Sequence, residues 1–108
     1  MGKKILQGIP VSGGVVTSKV RVINNVGQIR QIQHGDIMVV PNNNPAYAVG
    51  VMKAGGLICE EGGIISHICT VALEMGIPCI TQAKHAVELM KTKDQVTLNA
   101  DEGTVYGV

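Results

Sequence analysis

The sequence predicts an α/β sandwich of short strands and short helices. Its pattern opens with strands, alternates helices and strands through the middle, and closes with strands. That order favours a layered α/β architecture over an all-β barrel or a helical bundle. Two apolar runs, 37–40 and 56–59, have the length and composition of fully buried strands. Two further segments, opening at Asn44-Pro45 and at Ser66, carry helix start and stop signals. With 108 residues the chain fits one domain, residues 1–108, and can bury a modest core without staples.

Taken in order, residues 4–8 and 14–23 read as strands, the second rich in Val and alternating around Ser18-Lys19-Val20-Arg21-Val22. Pro10-Val11-Ser12-Gly13-Gly14 between them reads as a turn. Asn24-Asn25-Val26-Gly27 breaks the second strand, and residues 28–33 form a short polar strand or a turn. Gly35-Asp36 opens the buried strand 37–40, which ends at Pro41. Asn44 then caps a helix with Pro45 at its first position, running to about Ala54 and stopped by Gly55. Strand 56–59 leads into the loop Glu60-Glu61-Gly62-Gly63. The next helix follows Ser66, extends to about Met75, and is stopped by Gly76 with Pro78 beyond. Cys79-Ile80-Thr81 returns as a strand, 83–91 is a short helix, and 95–99 and 103–107 are closing strands.

Composition narrows the function. The formal net charge is +1, and basic residues form no run beyond Lys3-Lys4 and Lys91-Thr92-Lys93. Nucleic-acid binding, which needs a basic footprint, is disfavoured. No apolar run approaches the roughly 20 residues that span a bilayer, and the N-terminus lacks a signal-peptide pattern. The expected compartment is therefore cytoplasmic. The chain has no Trp and no Phe, so aliphatic side chains must fill the core around Tyr47 and Tyr106. Its three cysteines, Cys59, Cys69 and Cys79, lack CxxC spacing and read as reduced, buried thiols. Cys69 stands near a helix start, which suits a lowered pKa, but its apolar neighbours read as core. His67 and Cys69 are two apart, a spacing unlike a zinc site, so no metal is expected.

The segment with chemical content is Glu61-Gly62-Gly63-Ile64-Ile65-Ser66-His67. It places a histidine at the first turn of a helix, behind a Gly-Gly turn and a capping serine. An imidazole nitrogen is a nucleophile able to carry a phosphoryl group. Glycines let backbone approach an anion, and the free N–H groups of a helix start face negative charge. Gly62, Gly63 and Ser66 are thus the candidate phosphate cradle for His67. Spacing alone leaves a second reading open, in which Gly-Gly merely turns the chain. Glu61 is a candidate support residue that can accept the other ring hydrogen of His67 and fix its tautomer. His34 reads as exposed in a polar turn, and His85 as a surface partner of Glu88.

Gly62-Gly63-x-x-Ser66-His67, followed by Ala72-x-Glu74-x-Gly76-Ile77-Pro78, resembles the signature of the mobile phosphohistidine domain of PEP-utilising enzymes. Residues 8–14 followed by 18–22 look like that family's opening hairpin. Gly35-Asp36-Ile37-Met38-Val39-Val40-Pro41 with Asn44-Pro45 looks like its strand and helix entrance. Residues 95–99 and 103–105 look like its closing strands. The resemblance implies a swivelling β/β/α sandwich in which His67 accepts a phosphoryl group and delivers it to another site. It implies a covalent phosphohistidine with no cofactor bound by this chain, and Mg with ATP or PEP on partner subunits that bind nucleotide or PEP/pyruvate. With no such module attached, the chain is expected to be a phosphotransferase component that does not turn over alone. Two positions depart from the family pattern: Ile65 stands where Thr is common, and Leu73 where Arg is usual. They motivate an alternative, a protein-interaction or regulatory module that retains the swivelling fold.

Overall fold

The computed structural model describes residues 2–108. Eight strands are present: β1 (Lys4–Gln7), β2 (Ile9–Ser12), β3 (Val15–Val22), β4 (Ile37–Val40), β5 (Gly56–Cys59), β6 (Cys79–Thr81), β7 (Gln95–Asn99) and β8 (Thr104–Gly107). Three short α-helices, α1 (Ala48–Val51), α2 (His67–Met75) and α3 (Ala86–Leu89), join them, with 3-10 turns at Val26–Gln31 and Pro45–Tyr47. Strand order is β1-β8-β7-β3-β4-β5-β6-β2. The long strand β3 belongs to two sheets. Its first half, from Val15 to Lys19, pairs antiparallel with β7, and its second half, from Val20 to Val22, pairs parallel with β4. One sheet is therefore antiparallel (β1, β8, β7, β3), and the other carries parallel β3, β4, β5 and β6 with antiparallel β2 at its edge.

Side-chain alternation sorts the central strands into two cores. Met38, Val40, Leu57, Cys59 and Cys79 join Tyr47, Val51, Ile68, Cys69 and Ala72 beneath the helices. Ile37, Val39, Ile58 and Ile80 face the other way and meet Leu6, Val20, Val96, Leu98 and Val105 of the first sheet. A period of two, applied to strands buried on both faces, thus yields three layers, sheet on sheet on helix. Each large aliphatic side chain so buried contributes about 1.5–3 kcal/mol by area removed from water. Tyr47, 2 % exposed, is the largest of the buried side chains, as expected for a core without Phe or Trp.

Several local expectations are corrected. The turn expected over 10–14 is not one over its first three residues: Pro10, Val11 and Ser12 belong to β2, which pairs with β6 some seventy residues further along. The opening strands form no hairpin with each other, because β1 pairs with β8 and β3 with β7 and β4. The open choice over 28–33 resolves as a 3-10 turn at Val26–Gln31. The helix expected from Pro45 to about Ala54 begins as a 3-10 turn and is α-helical only over Ala48–Val51. The helix expected over 83–91 shrinks to Ala86–Leu89, because His85 takes a left-handed conformation (φ 65°) just before it. Strands β4, β5, β6 and β7 and helix α2 lie where the sequence places them. Among the described residues no helix is long and apolar enough to cross a membrane.

Candidate functional site

Parallel strands β4, β5 and β6 end side by side at Val40, Cys59 and Thr81, so the loops that follow them gather on one edge. Ligand sites in sheets with parallel strands form outside such carboxyl ends. The loop after β5, residues 60–66, is the central one, and it delivers the chain to α2. Ser66 is extended (φ −148°, ψ 163°), and its Oγ accepts the Cys69 N–H at 3.3 Å. That is an N-cap, worth about 1 kcal/mol. It starts the helix at His67, which is exposed. The helix closes at Gly76, left-handed at φ 70°, whose N–H returns to the Ala72 and Leu73 carbonyls. Both expected ends of α2 are therefore where their local signals put them.

The Gly-Gly turn splits into two roles. Gly62 has φ +144°, and a Cβ there would come within 2.7–2.9 Å of the Asn43 side chain. Only glycine fits at that position. Its carbonyl oxygen accepts a hydrogen bond from Thr81 Oγ1 at 3.0 Å, tying the loop to the end of β6. Gly63 is exposed, and a Cβ there would meet nothing closer than the Ile65 nitrogen at 4.0 Å. Its bare backbone keeps the surface open beside the first turn of α2, where N–H groups have no partner within the helix. A partly positive helix end beside an uncovered backbone can hold an anion attached to His67. We therefore expect Gly62→Ala to destabilise the fold by about 1–3 kcal/mol. Gly63→Ala should shift it by no more than about 0.5 kcal/mol. Urea midpoints of the two variants check the contrast.

The carboxylates are less central than expected. Glu60 Oε1 accepts the Val87 N–H at 3.0 Å, at the start of α3, so it turns away from the helix start of α2. Glu61 is exposed and lines a recess with Glu60, Lys84, His85 and Glu88. Among the described residues, neither glutamate hydrogen-bonds to His67. His85 pairs with Glu88 across 3.6 Å, both largely exposed, and His34 is exposed, as the sequence indicates. Two residues that the sequence reading passed over, Asn43 and Thr81, brace Gly62. A threonine ending a buried strand was the available signal for the second.

Beneath this loop lie the three cysteines, all free and fully buried. Cys59 donates its thiol proton to the Glu61 carbonyl at 3.1 Å, and burial pushes its pKa up to about 11. Cys69 Sγ lies 3.9 Å from the Gly63 carbonyl oxygen, and Cys79 Sγ 3.9 Å from that of Ile80. The neighbouring Cys79 thiol, helped by Ser66, holds Cys69 down at about 6 despite its burial. The neighbouring Cys69, then burial, raises Cys79 far above the usual thiol range. Among the described residues no group of three or more His, Cys, Asp or Glu side chains is arranged to hold a metal ion.

The fold and site together define a class: a β/β/α sandwich that presents an exposed histidine at a capped helix start, beside a glycine turn. The model of the PEP-utilising enzyme mobile domain matches residues 32–103, and the chain belongs to that family. Phosphoenolpyruvate synthase of Pyrococcus furiosus is 35 % identical over 102 residues, and the probable phosphoenolpyruvate synthase of Methanothermobacter thermautotrophicus is 31 % identical over 102 residues. Each alignment covers 94 % of this chain but only 12 % and 15 % of the respective relative. Among solved structures, aconitase X of Thermococcus kodakaraensis superposes with a TM-score of 0.73 at 20 % identity, covering 99 % of both chains. An Enzyme I (nEIt) protein superposes with a TM-score of 0.63 at 18 % identity, covering 73 % of this chain and 33 % of that one. These likenesses concern the fold alone, which hosts unrelated chemistries, so function must be argued from the site.

Proposed function

We propose that the chain is a phosphohistidine carrier, a mobile component of a phosphotransferase related to phosphoenolpyruvate synthase. A ring nitrogen of His67 attacks the phosphorus of a donor, ATP or PEP, held by a partner subunit with Mg²⁺. The N–P bond forms as the donor's P–O bond breaks, and the reverse displacement passes the group to an acceptor on a second site. Gly63 leaves room for the phosphoryl oxygens, Gly62 shapes the turn, and Ser66 fixes the helix end that faces them. A phosphoryl group of about two negative charges is stabilised there by roughly 1 kcal/mol or more. The observation that carries this reading is the position of His67: exposed, first in α2, directly after its cap. Its partners are subunits that bind nucleotide or PEP/pyruvate, and Glu61 is at most a support residue, acting once a partner closes over the loop.

A second reading is favoured by two side chains. Ile65 is 96 % exposed and Leu73 57 % exposed, both on or beside the helix that carries His67. Apolar groups so placed suit an interaction module that keeps the fold without the transfer. The deciding experiment incubates the protein with source-cell extract plus ATP or PEP, followed by intact mass at alkaline pH. Gain of one phosphoryl group that acid removes supports the carrier and names its donor. A folded protein left unlabelled with either donor in an active extract overturns it in favour of the interaction module.

A further inference from the structure

Phosphoryl oxygens on His67 need hydrogen-bond donors, and few side chains beside it offer one. Residues 61–75 contain no Lys or Arg, and Ile64 and Ile65 are exposed but apolar. Ser66 Oγ is engaged as the cap, accepting the Cys69 N–H. Thr70 is the next hydroxyl along the chain, and it is exposed, as His67 is. The two stand three residues apart within α2. At that spacing side chains are neighbours on the helix surface, with Cβ atoms about 5–6 Å apart. Helical side chains also lean toward the N-terminus, so Thr70 covers the turn that begins at His67. Its backbone N–H reaches the Ser66 carbonyl at 2.9 Å, while among the described residues its hydroxyl has no partner. That hydroxyl is free to turn toward a group carried by its neighbour.

We propose that Thr70 is a phosphoryl-binding residue whose hydroxyl donates a hydrogen bond to the group on His67. The proposal rests on the carrier reading, and it adds a side chain that belongs to neither the glycine turn nor the cap. A hydroxyl bonded to an anionic oxygen holds it more strongly than it would a neutral one. The bond favours the doubly ionised phosphoryl group over the singly ionised one, because the added charge falls on the oxygens that accept it. An apolar side chain at position 70 would leave those oxygens to backbone N–H groups and water.

The test phosphorylates the folded chain with phosphoramidate, a small donor that needs no partner subunit. A ring nitrogen attacks phosphorus, the donor's own N–P bond breaks, and ammonia leaves with the imidazole proton. Phosphorus NMR then follows the second ionisation of each phosphohistidine against pH. His34 and His85, both exposed, supply internal references, identified by His34→Gln and His85→Gln. The group on His67 should ionise more readily than those two. Thr70→Val keeps the branched shape and should weaken that second acid constant about fivefold to tenfold. Thr70→Ser should restore it, with the reference groups unmoved throughout. An unchanged constant in folded Thr70→Val, no rescue by serine, or equal shifts at the reference histidines would each overturn the proposal. So would label on His34 and His85 but not on His67. Transfer from ATP or PEP in extract is read separately: its absence, with the Thr70 response intact, overturns the carrier reading alone.

Discussion

His67→Ala is expected to eliminate the acid-labile phosphorylation proposed for this chain while leaving its stability within about 0.5 kcal/mol of the native protein. The first half of that result follows from chemistry: alanine has no nitrogen to form the N–P bond, so labelling drops to background rather than slowing. The second half follows from position. His67 is exposed and opens α2, and alanine is a good helix former at an exposed site. The cap on Ser66 Oγ, bonded to the Cys69 N–H, is untouched by the change. Intact mass after incubation with donor and extract, together with a urea melt, reads both halves at once. Retained label on folded His67→Ala would place the phosphoryl group on another residue. Ser66→Ala gives the graded comparison: it loses about 1 kcal/mol of helix start, and labelling slows without vanishing. Partner binding that survives His67→Ala at full strength, in a chain that never takes label, would instead match the interaction module.

What the sequence made legible is local. Ser66, His67 and Gly76 are readable because a cap, a first turn and a left-handed stop are written within a few residues of each other. The buried strands β4 and β5 are readable because an apolar run of four between turn signals has few other uses. Failures occur where the pairing is remote. β2 contains Pro10 and sits next to a Gly-Gly pair, so it reads as a turn. Its place at the sheet edge is what tolerates the proline, and its partner β6 is invisible to any local window. The site shows the same division. His67 and its glycines stand in one segment, whereas Asn43 and Thr81 reach Gly62 only because parallel β4, β5 and β6 end together. The three thiols, evenly spaced along the chain, likewise meet only because one helix and two strands share a core.

Asp36→Ala produces the largest expected loss of stability, about 3–5 kcal/mol, by leaving a nearly buried cation without its partner. Arg21 Nε lies 3.1 Å from Asp36 Oδ2, with the two side chains 12 % and 2 % exposed. The same carboxylate oxygen accepts the Gln33 N–H at 2.9 Å. Arg21 belongs to the half of β3 that pairs with β4, and Asp36 stands directly before β4. The pair therefore sits where one strand leaves the antiparallel sheet for the mixed one, and the edge that carries the His67 loop depends on that second sheet. A domain of this size holds only about 5–15 kcal/mol in total, so the variant should be near its unfolding midpoint at modest urea concentrations. Charge rather than contact is the cause, and a second variant separates the two. Arg21→Met combined with Asp36→Leu removes both charges and keeps apolar volume, so it should recover most of the loss. The Gln33 N–H then has no carboxylate to meet, which leaves a residual deficit of about 1–3 kcal/mol. Equal destabilisation of the single and double variants would mean that the Gln33 contact, not the ion pair, holds the junction of the two sheets.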